Sequence, residues 1–285
     1  MRFGFIAAEK ARYPVRLLCR CLDVTRSGYY AWRGRDPSPR ARRDGQLIQQ
    51  LRLVHAINRR VYGRPRLHRA LRDEGIRISP KRVARLMRQA GLTAQGRRRF
   101  RLTTDSRHGW PVAANELAQD FAVGVPHRVW AADITALWTH AGWCYLAVVL
   151  DLGSRRVVSW AIRRSLETEL VLAAVHVALA TRPAPHVHHS DRGSQYASHD
   201  YRHLLDAHGI TVSMSRVGNC WDNAPVESFF SSLKAELLTG TRWQTSQDAE
   251  AVVADYLRFY NQHRLHSALG YRSPAQYEAD CAVAV

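Results

Sequence analysis

Three carboxylates of the 285-residue chain occupy positions where an acid is out of place or exposed at the end of an element. Asp133 interrupts the apolar run Val129–Thr135, which reads as a β-strand, where Asp is disfavoured. Asp191 closes a second strand, in His188-His189-Ser190-Asp191-Arg192-Gly193-Ser194-Gln195-Tyr196. Glu227 falls on a later helix, in Asp222-Asn223-Ala224-Pro225-Val226-Glu227-Ser228-Phe229. Oxygen donors of this kind suit hard divalent ions, Mg²⁺ or Mn²⁺, which keep open positions for phosphate and water. Two such ions about 3.5–4 Å apart activate an attacking oxygen and stabilise a leaving one. Two strands and a helix must contribute, because no single element can surround both ions.

On the helix, Val226, Phe230, Leu233 and Leu237 form an apolar stripe at spacings of four, three and four. Beside it, Glu227 and Lys234 are seven residues apart, two turns along nearly the same face. Lys10, Lys81 and Lys234 are the only lysines among 42 basic residues. Keeping lysine where the chain otherwise uses arginine points to a compact ammonium, suited to phosphate, beside the carboxylate.

Other polar residues compete for attention. Asp222 reads as a helix N-cap, Asp151 as a strand-end or turn acid, and Glu236 points away from the Lys234 face. The cluster His186-Val187-His188-His189 has metal-ligand residue types, but alternation along a strand sends neighbouring side chains to opposite faces. Trp130 and Trp221 read as packing residues, while Gln195, Asn223, Arg264 and His266 either touch a ligand or brace the site. The five cysteines are scattered and odd in number, implying buried thiols rather than a disulfide framework.

The elements that carry these residues differ in charge. The net charge is +18, yet residues 1–127 hold 28 Arg or Lys against 9 Asp or Glu, and residues 128–285 hold 14 against 15. A basic half joined to a nearly neutral one suits nucleic-acid binding by the first. Residues 13–32 read as a helical hairpin with helix-turn-helix character, and 33–45 has linker composition. Helices follow from Leu47 to Asn58 and from Arg66 to Glu74, and Ser79-Pro80 starts a third. The third buries Val83, Leu86, Met87 and Ala90 and turns Arg82, Arg85, Arg88 and Gln89 outward, the pattern of a major-groove reader. The like-charge run Arg97-Arg98-Arg99 opens a basic linker reaching about Pro126. Beyond Arg128 three antiparallel strands precede helix, strand, helix, strand, helix, an α/β layer protein with a mixed sheet. No run reaches membrane-spanning length and no signal peptide is evident, so a cytoplasmic protein is expected.

The spacing of Asp191, Glu227 and Lys234 resembles that of Asp-Asp-Glu transposases and retroviral integrases. The chain is still more similar to the second-reading-frame transposase of the third bacterial insertion-sequence family. That resemblance rests on Tyr62-Gly63-Arg64-Pro65-Arg66, Lys81-Arg82-Val83-x-Arg85-Leu86-Met87, Trp130-x-x-Asp133-Ile134-Thr135 and His189-Ser190-Asp191-x-Gly193-Ser194-Gln195-Tyr196. It continues in Asn223-Ala224-x-x-Glu227-Ser228-Phe229-Phe230, Tyr260-Asn261-x-x-Arg264-x-His266 and Gly270-Tyr271-x-Ser273-Pro274. It implies an α/β fold, a ribonuclease H-like integrase core (a mixed five-stranded sheet with flanking helices) preceded by an all-α helix-turn-helix region. The expected divisions are 1–45, 46–95 (helix-turn-helix), 96–126 (basic linker), 127–238 (catalytic core) and 239–285 (helical extension of the core).

The resemblance also implies metal-dependent cleavage at insertion-element ends, freeing a 3′-hydroxyl that attacks another phosphodiester. Asp133 would bridge two ions, Asp191 and Glu227 would each hold one, and Lys234 would contact element-end DNA. Lys81, Arg82, Arg85, Arg88, Arg97, Arg98 and Arg99 are the other expected DNA contacts. Terminal inverted repeats and target DNA, further copies of the chain, and an upstream-frame product as fusion or partner are the implied partners, in a nucleoid-associated bacterial setting. Two rival readings are a ribonuclease H-like nuclease that only hydrolyses and a catalytically inactive helix-turn-helix regulator. The basic module and the tail motif speak against the first, and the intact acidic trio against the second.

Overall fold

The computed structural model describes residues 1–94, 112–121, 123–216, 220–237 and 243–283. Helices α1 (Arg2–Glu9), α2 (Val15–Cys21) and α3 (Arg26–Arg33) close over a small core of Ile6, Leu18, Cys19 and Tyr29. Helix α1 was not expected from the sequence, because eight residues carrying one buried side chain leave little periodicity to read.

The expected linker over 33–45 is corrected. Helix α4 spans Pro39–Ile57, with Ser38 accepting a bond from Ala41 N and Pro39 in the first turn. Helices α5 (Arg64–Asp73) and α6 (Pro80–Ala90) complete a three-helix unit around Leu47, Leu51, Val54, Leu67, Leu71, Val83 and Leu86. Ser79 caps α6 through Arg82 N, and Gly91 ends it at φ +67°, a conformation open to glycine.

The second half is a five-stranded sheet of order β3-β2-β1-β4-β5, built from β1 (Val129–Thr139), β2 (Gly142–Asp151), β3 (Val157–Arg163), β4 (Val187–Ser190) and β5 (Thr211–Met214). β1–β2 and β2–β3 pair antiparallel, and β1–β4 and β4–β5 pair parallel. Side chains alternate along β1. Trp130 and Ala132 pack towards α7 (Thr168–Thr181), α8 (Ser194–Ala197) and α9 (His199–Ala207), whereas Ala131 and Leu137 pack towards α10 (Ala224–Leu237) and α11 (Ser246–Gln262). Helices therefore cover both faces of the sheet.

α12 (Pro274–Val283) closes the chain, and its Glu278 accepts from Ser154 Oγ and Arg156. The apolar cluster of α4–α6 is continuous with that under α10 and α11. Tyr62 donates to the His263 carbonyl at 3.0 Å and Arg66 to that of Leu265 at 2.8 Å, joining the helical unit to the chain beyond α11. No helix among the described residues is long and apolar enough to cross a membrane.

Candidate active site

Register brings the first two acids together. The parallel pairing of β1 and β4 ends at Ala132↔Ser190, where β4 stops and β1 continues. Asp133 and Asp191 are the next residues on either side, and neighbouring strands lie about 4.8 Å apart. Gly193 N donates to Asp191 Oδ1 at 2.9 Å, which turns the carboxylate back on its own loop. A Cβ on Gly193 would stand 3.1 Å from that same oxygen, so glycine leaves the room the turn needs.

Glu227 reaches the pair through the start of α10. Asn223, in the 3-10 turn Cys220–Asn223, donates from Nδ2 to the Ala132 carbonyl at 3.2 Å, one residue before Asp133. One helical turn later the chain carries Glu227. The turn itself is held by Asp222, whose buried carboxylate accepts from Arg216 N, Nε and Nη2, from Asn115 Nδ2 and from Gln119 Nε2. The expectation of a helix N-cap at Asp222 is corrected. Its oxygens are taken by Arg216 and by residues 115 and 119, and the Arg216 guanidinium holds its carboxyl far below the usual range.

The acids feel one another. Burial, and next the charge of Asp191, hold the Asp133 carboxyl well above its ordinary range, with Glu227 adding to the effect. Burial and then Asp191 also raise Glu227. Burial lowers Lys234, while the charge of Asp133 opposes that shift. Three acids and one ammonium thus share one electrostatic neighbourhood. Among the described residues no three His, Cys, Asp or Glu side chains converge closely enough to enclose an ion by themselves.

The histidines beside Asp191 serve packing. His188 lies between Trp130 and Tyr201, whose hydroxyl is 3.2 Å from its Nδ1, and burial takes it down to about 3. His189 bonds Ser213 and Ser215 through its two ring nitrogens, and burial lowers it to about 4. Arg264 and His266 brace too. The Arg264 guanidinium meets the Glu236 carboxylate at 2.6 Å, with His266 Nε2 3.4 Å from Arg264 Nη1. Gln195 donates to the Leu166 carbonyl on the exposed side of the site.

The arginine face of α6 is divided. Lys81 and Arg88 are exposed. Arg82 and Arg85 do not simply face outward, because both donate to Asp44 of α4, at 2.8–2.9 Å and 2.7 Å. Asp44 escaped the sequence reading because it sat in the segment assigned to the linker. The Ser38-Pro39 start of α4 was the signal that could have found it. Arg97, Arg98, Arg99 and the side chain of Trp221 lie outside the described residues.

The sequence matches the integrase core domain over residues 125–220, a second integrase core domain description over 208–274, and an HTH-like domain over 42–100. It is 42% identical over 91% of its length, and 97% of the relative's, to the insertion element IS600 uncharacterized 31 kDa protein of Shigella sonnei. It is 40% identical to the transposase InsF for insertion sequence IS3A of Escherichia coli K12, covering 98% of both chains. Among solved structures it is similar to the HTLV-2 integrase catalytic core domain in complex with magnesium, at 18% identity and TM-score 0.44, covering 54% of this chain and 97% of that one. It is also similar to a chain of the simian T-cell lymphotropic virus intasome in complex with PP2A regulatory subunit B56 gamma, at 16% identity and TM-score 0.49, covering 79% of this chain and 73% of that one.

Proposed function

Because the chain belongs to the integrase-core transposases of the third insertion-sequence family, we propose that it cuts DNA at insertion-element ends and joins the freed 3′-hydroxyl to target DNA, with Asp133, Asp191 and Glu227 as its active-site acids. The observation that carries this reading is the meeting of these acids with Lys234 at the point where β4 ends and β1 runs on. Carboxylates that raise one another's proton affinity form a site built for positive charge, and an all-oxygen donor set fits Mg²⁺ or Mn²⁺.

By the resemblance to the family, Asp133 would hold both ions, and Asp191 and Glu227 one each. When bound, two such ions supply Lewis-acid stabilisation of the attacking and leaving oxygens of an in-line displacement. The chain's own residues hold the acids in place: Gly193 orients Asp191, Asn223 ties the Glu227 helix to β1, and Asp222 locks the turn between them. Lys234 places an ammonium on the Glu227 face, where it can take a phosphate of the element end. Lys81 and Arg88 are the exposed basic side chains of α6, open to a DNA backbone, and Arg97, Arg98 and Arg99 follow as further candidate contacts in the sequence. Assembly of further copies on the DNA ends, and fusion with an upstream-frame product, belong to the same reading.

The test uses a labelled duplex carrying the terminal repeat that flanks the gene, with the chain alone and joined to its upstream-frame product. Cleavage and joining are expected with Mg²⁺ or Mn²⁺ and not with chelator. Pre-cut ends with a 3′-hydroxyl should join, and 3′-deoxy ends should not. Unchanged cleavage by Asp133→Asn would overturn the active-site assignment, and hydrolysis that never yields joined product would favour a nuclease.

A further inference from the structure

Two motifs singled out in the sequence, Tyr62-Gly63-Arg64-Pro65-Arg66 and Tyr260-Asn261-x-x-Arg264-x-His266, are not used by the acids. The fold brings them to one place. A cavity of 330 Å³ lies beside α10, lined by Arg66 of α5, Leu150 of β2, Arg155 of the β2–β3 turn, Arg264, His266, and the first turn of α10 at Ala224 and Pro225. Ser228, next in the chain to Glu227, is exposed on its wall, and exposed Ser267 and Ala268 form its rim, so the cavity opens to solvent.

Its charge is unbalanced. Glu236 pairs with Arg264 at 2.6 Å and stands 3.9 Å from Arg66. Arg155 donates to the Phe121 carbonyl at 3.2 Å and feels the charge of Asp151 without forming a direct ion pair with it among the described residues. Three half-buried or buried guanidiniums therefore answer to two carboxylates, Glu236 beside Arg264 and Arg66, and the buried Asp151 whose charge reaches Arg155. Burial and the three neighbouring guanidiniums keep His266 neutral, so it offers a ring nitrogen rather than a fourth charge. Unpaired buried cations are costly, and such an arrangement persists where an anion completes it. The start of the 14-residue α10 adds its positive dipole end at the same wall.

We propose that this cavity is a receptor for one phosphodiester group of the bound DNA strand, a few nucleotides from the phosphate undergoing reaction. Guanidinium forks match phosphate oxygens in pairs, and a DNA strand reacting at the nearby acids brings phosphates rather than carboxylates to them. Ala224 of α10, on its wall, lies one helical turn before Glu227 and Ser228 directly follows it, so the site is within roughly 10 Å of that acid. A strand crossing the start of that helix can place one phosphate at the acids and another among the arginines. Because Arg66 comes from the helical unit and Arg264 from the tail, strand capture would also clamp both parts to the helix carrying Glu227. The inference rests on the reading that DNA reacts at the three acids.

The test is a binding measurement, separate from cleavage. The full-length chain is titrated with terminal-repeat duplexes, unmodified or carrying one neutral methylphosphonate at successive positions of the reacting strand. Arg155→Gln should weaken binding of unmodified DNA about tenfold and reduce the slope of log affinity against log salt by about 0.9. At one position the methylphosphonate should weaken wild type about tenfold and Arg155→Gln hardly at all. Arg155→Lys, which keeps the charge, should retain the position dependence. If the two losses multiply at every position, or Arg155→Gln binds as wild type does, no phosphate occupies this cavity. Unchanged cleavage by Asp133→Asn would instead sink the assignment of the acids and leave the binding result standing.

Discussion

Asp133 and Asp191 stand side by side, each one residue past the Ala132↔Ser190 pair that ends the parallel ladder between β1 and β4. Their mutual repulsion is stored in the fold, and removing one charge should relieve it. Asp191→Asn is expected to lose strand cleavage by on the order of 10³-fold or more while its unfolding temperature without metal stays level or rises. A large fall in that temperature would show that the carboxylate is a structural acid.

Gly193→Ala separates positioning from charge. The added methyl would lie 3.1 Å from Asp191 Oδ1, so the turn that aims the carboxylate must give way. Cleavage should fall about tenfold or more with stability altered by less than about 1 kcal/mol. Cleavage equal to wild type would mean that the Gly193–Asp191 turn does not set the geometry of the site.

Glu236 and Arg264 form a nearly fully buried ion pair between α10 and the chain after α11. Breaking it from one side leaves a charge stranded, so Glu236→Gln or Arg264→Met should each cost about 3–5 kcal/mol. Replacing both with apolar residues of similar volume should cost less than the two single changes combined. Denaturant unfolding of the three variants measures this, and simple additivity would contradict the pairing.

Asp44 ties α4 to Arg82 and Arg85 of α6, and those guanidiniums hold its carboxyl below the usual range. Its stabilising effect is present above the ordinary Asp range and is lost as pH falls through the lowered value. Asp44→Asn should lower the unfolding temperature near neutral pH and abolish that part of the acid dependence. If Arg82 and Arg85 chiefly brace the unit, Arg88→Ala should weaken DNA binding at moderate salt more than Arg82→Ala does at matched folded fraction. The reverse order would restore Arg82 as the main contact.

His188 should contribute to acid lability. Its folded value near 3 lies below that of a free imidazole, so the unfolded chain takes up the proton first. Stability is then complete above about pH 6.5 and erodes as pH falls, by up to about 1.4 kcal/mol per unit, until about pH 3. In His188→Gln the dependence of unfolding free energy on pH between 6.5 and 5 should flatten by one proton. An unaltered slope would place the acid sensitivity elsewhere.

What the sequence alone determined is what local physics encodes. Alternation revealed the strands and the out-of-place Asp133, helical spacing put Glu227 and Lys234 on one face, and Ser79-Pro80 marked the start of α6. The same cap-and-proline signal at Ser38-Pro39 was hidden by a basic, proline-rich neighbourhood that resembles a linker, and α4 was read eight residues short. Pairings between distant residues have no local signature. Asp222 is followed by a helix and so looks like its cap, yet residues 115, 119 and 216 claim its oxygens. Arg82 and Arg85 look like outward groove readers until α4 brings Asp44 beneath them, 38 and 41 residues away. The three acids could be named one by one from residue type and spacing. Only the parallel register of β1 with β4, and the Asn223 bond that pins α10 to Ala132, bring them into one electrostatic neighbourhood, because strand order and helix docking are settled by burial across the whole sheet.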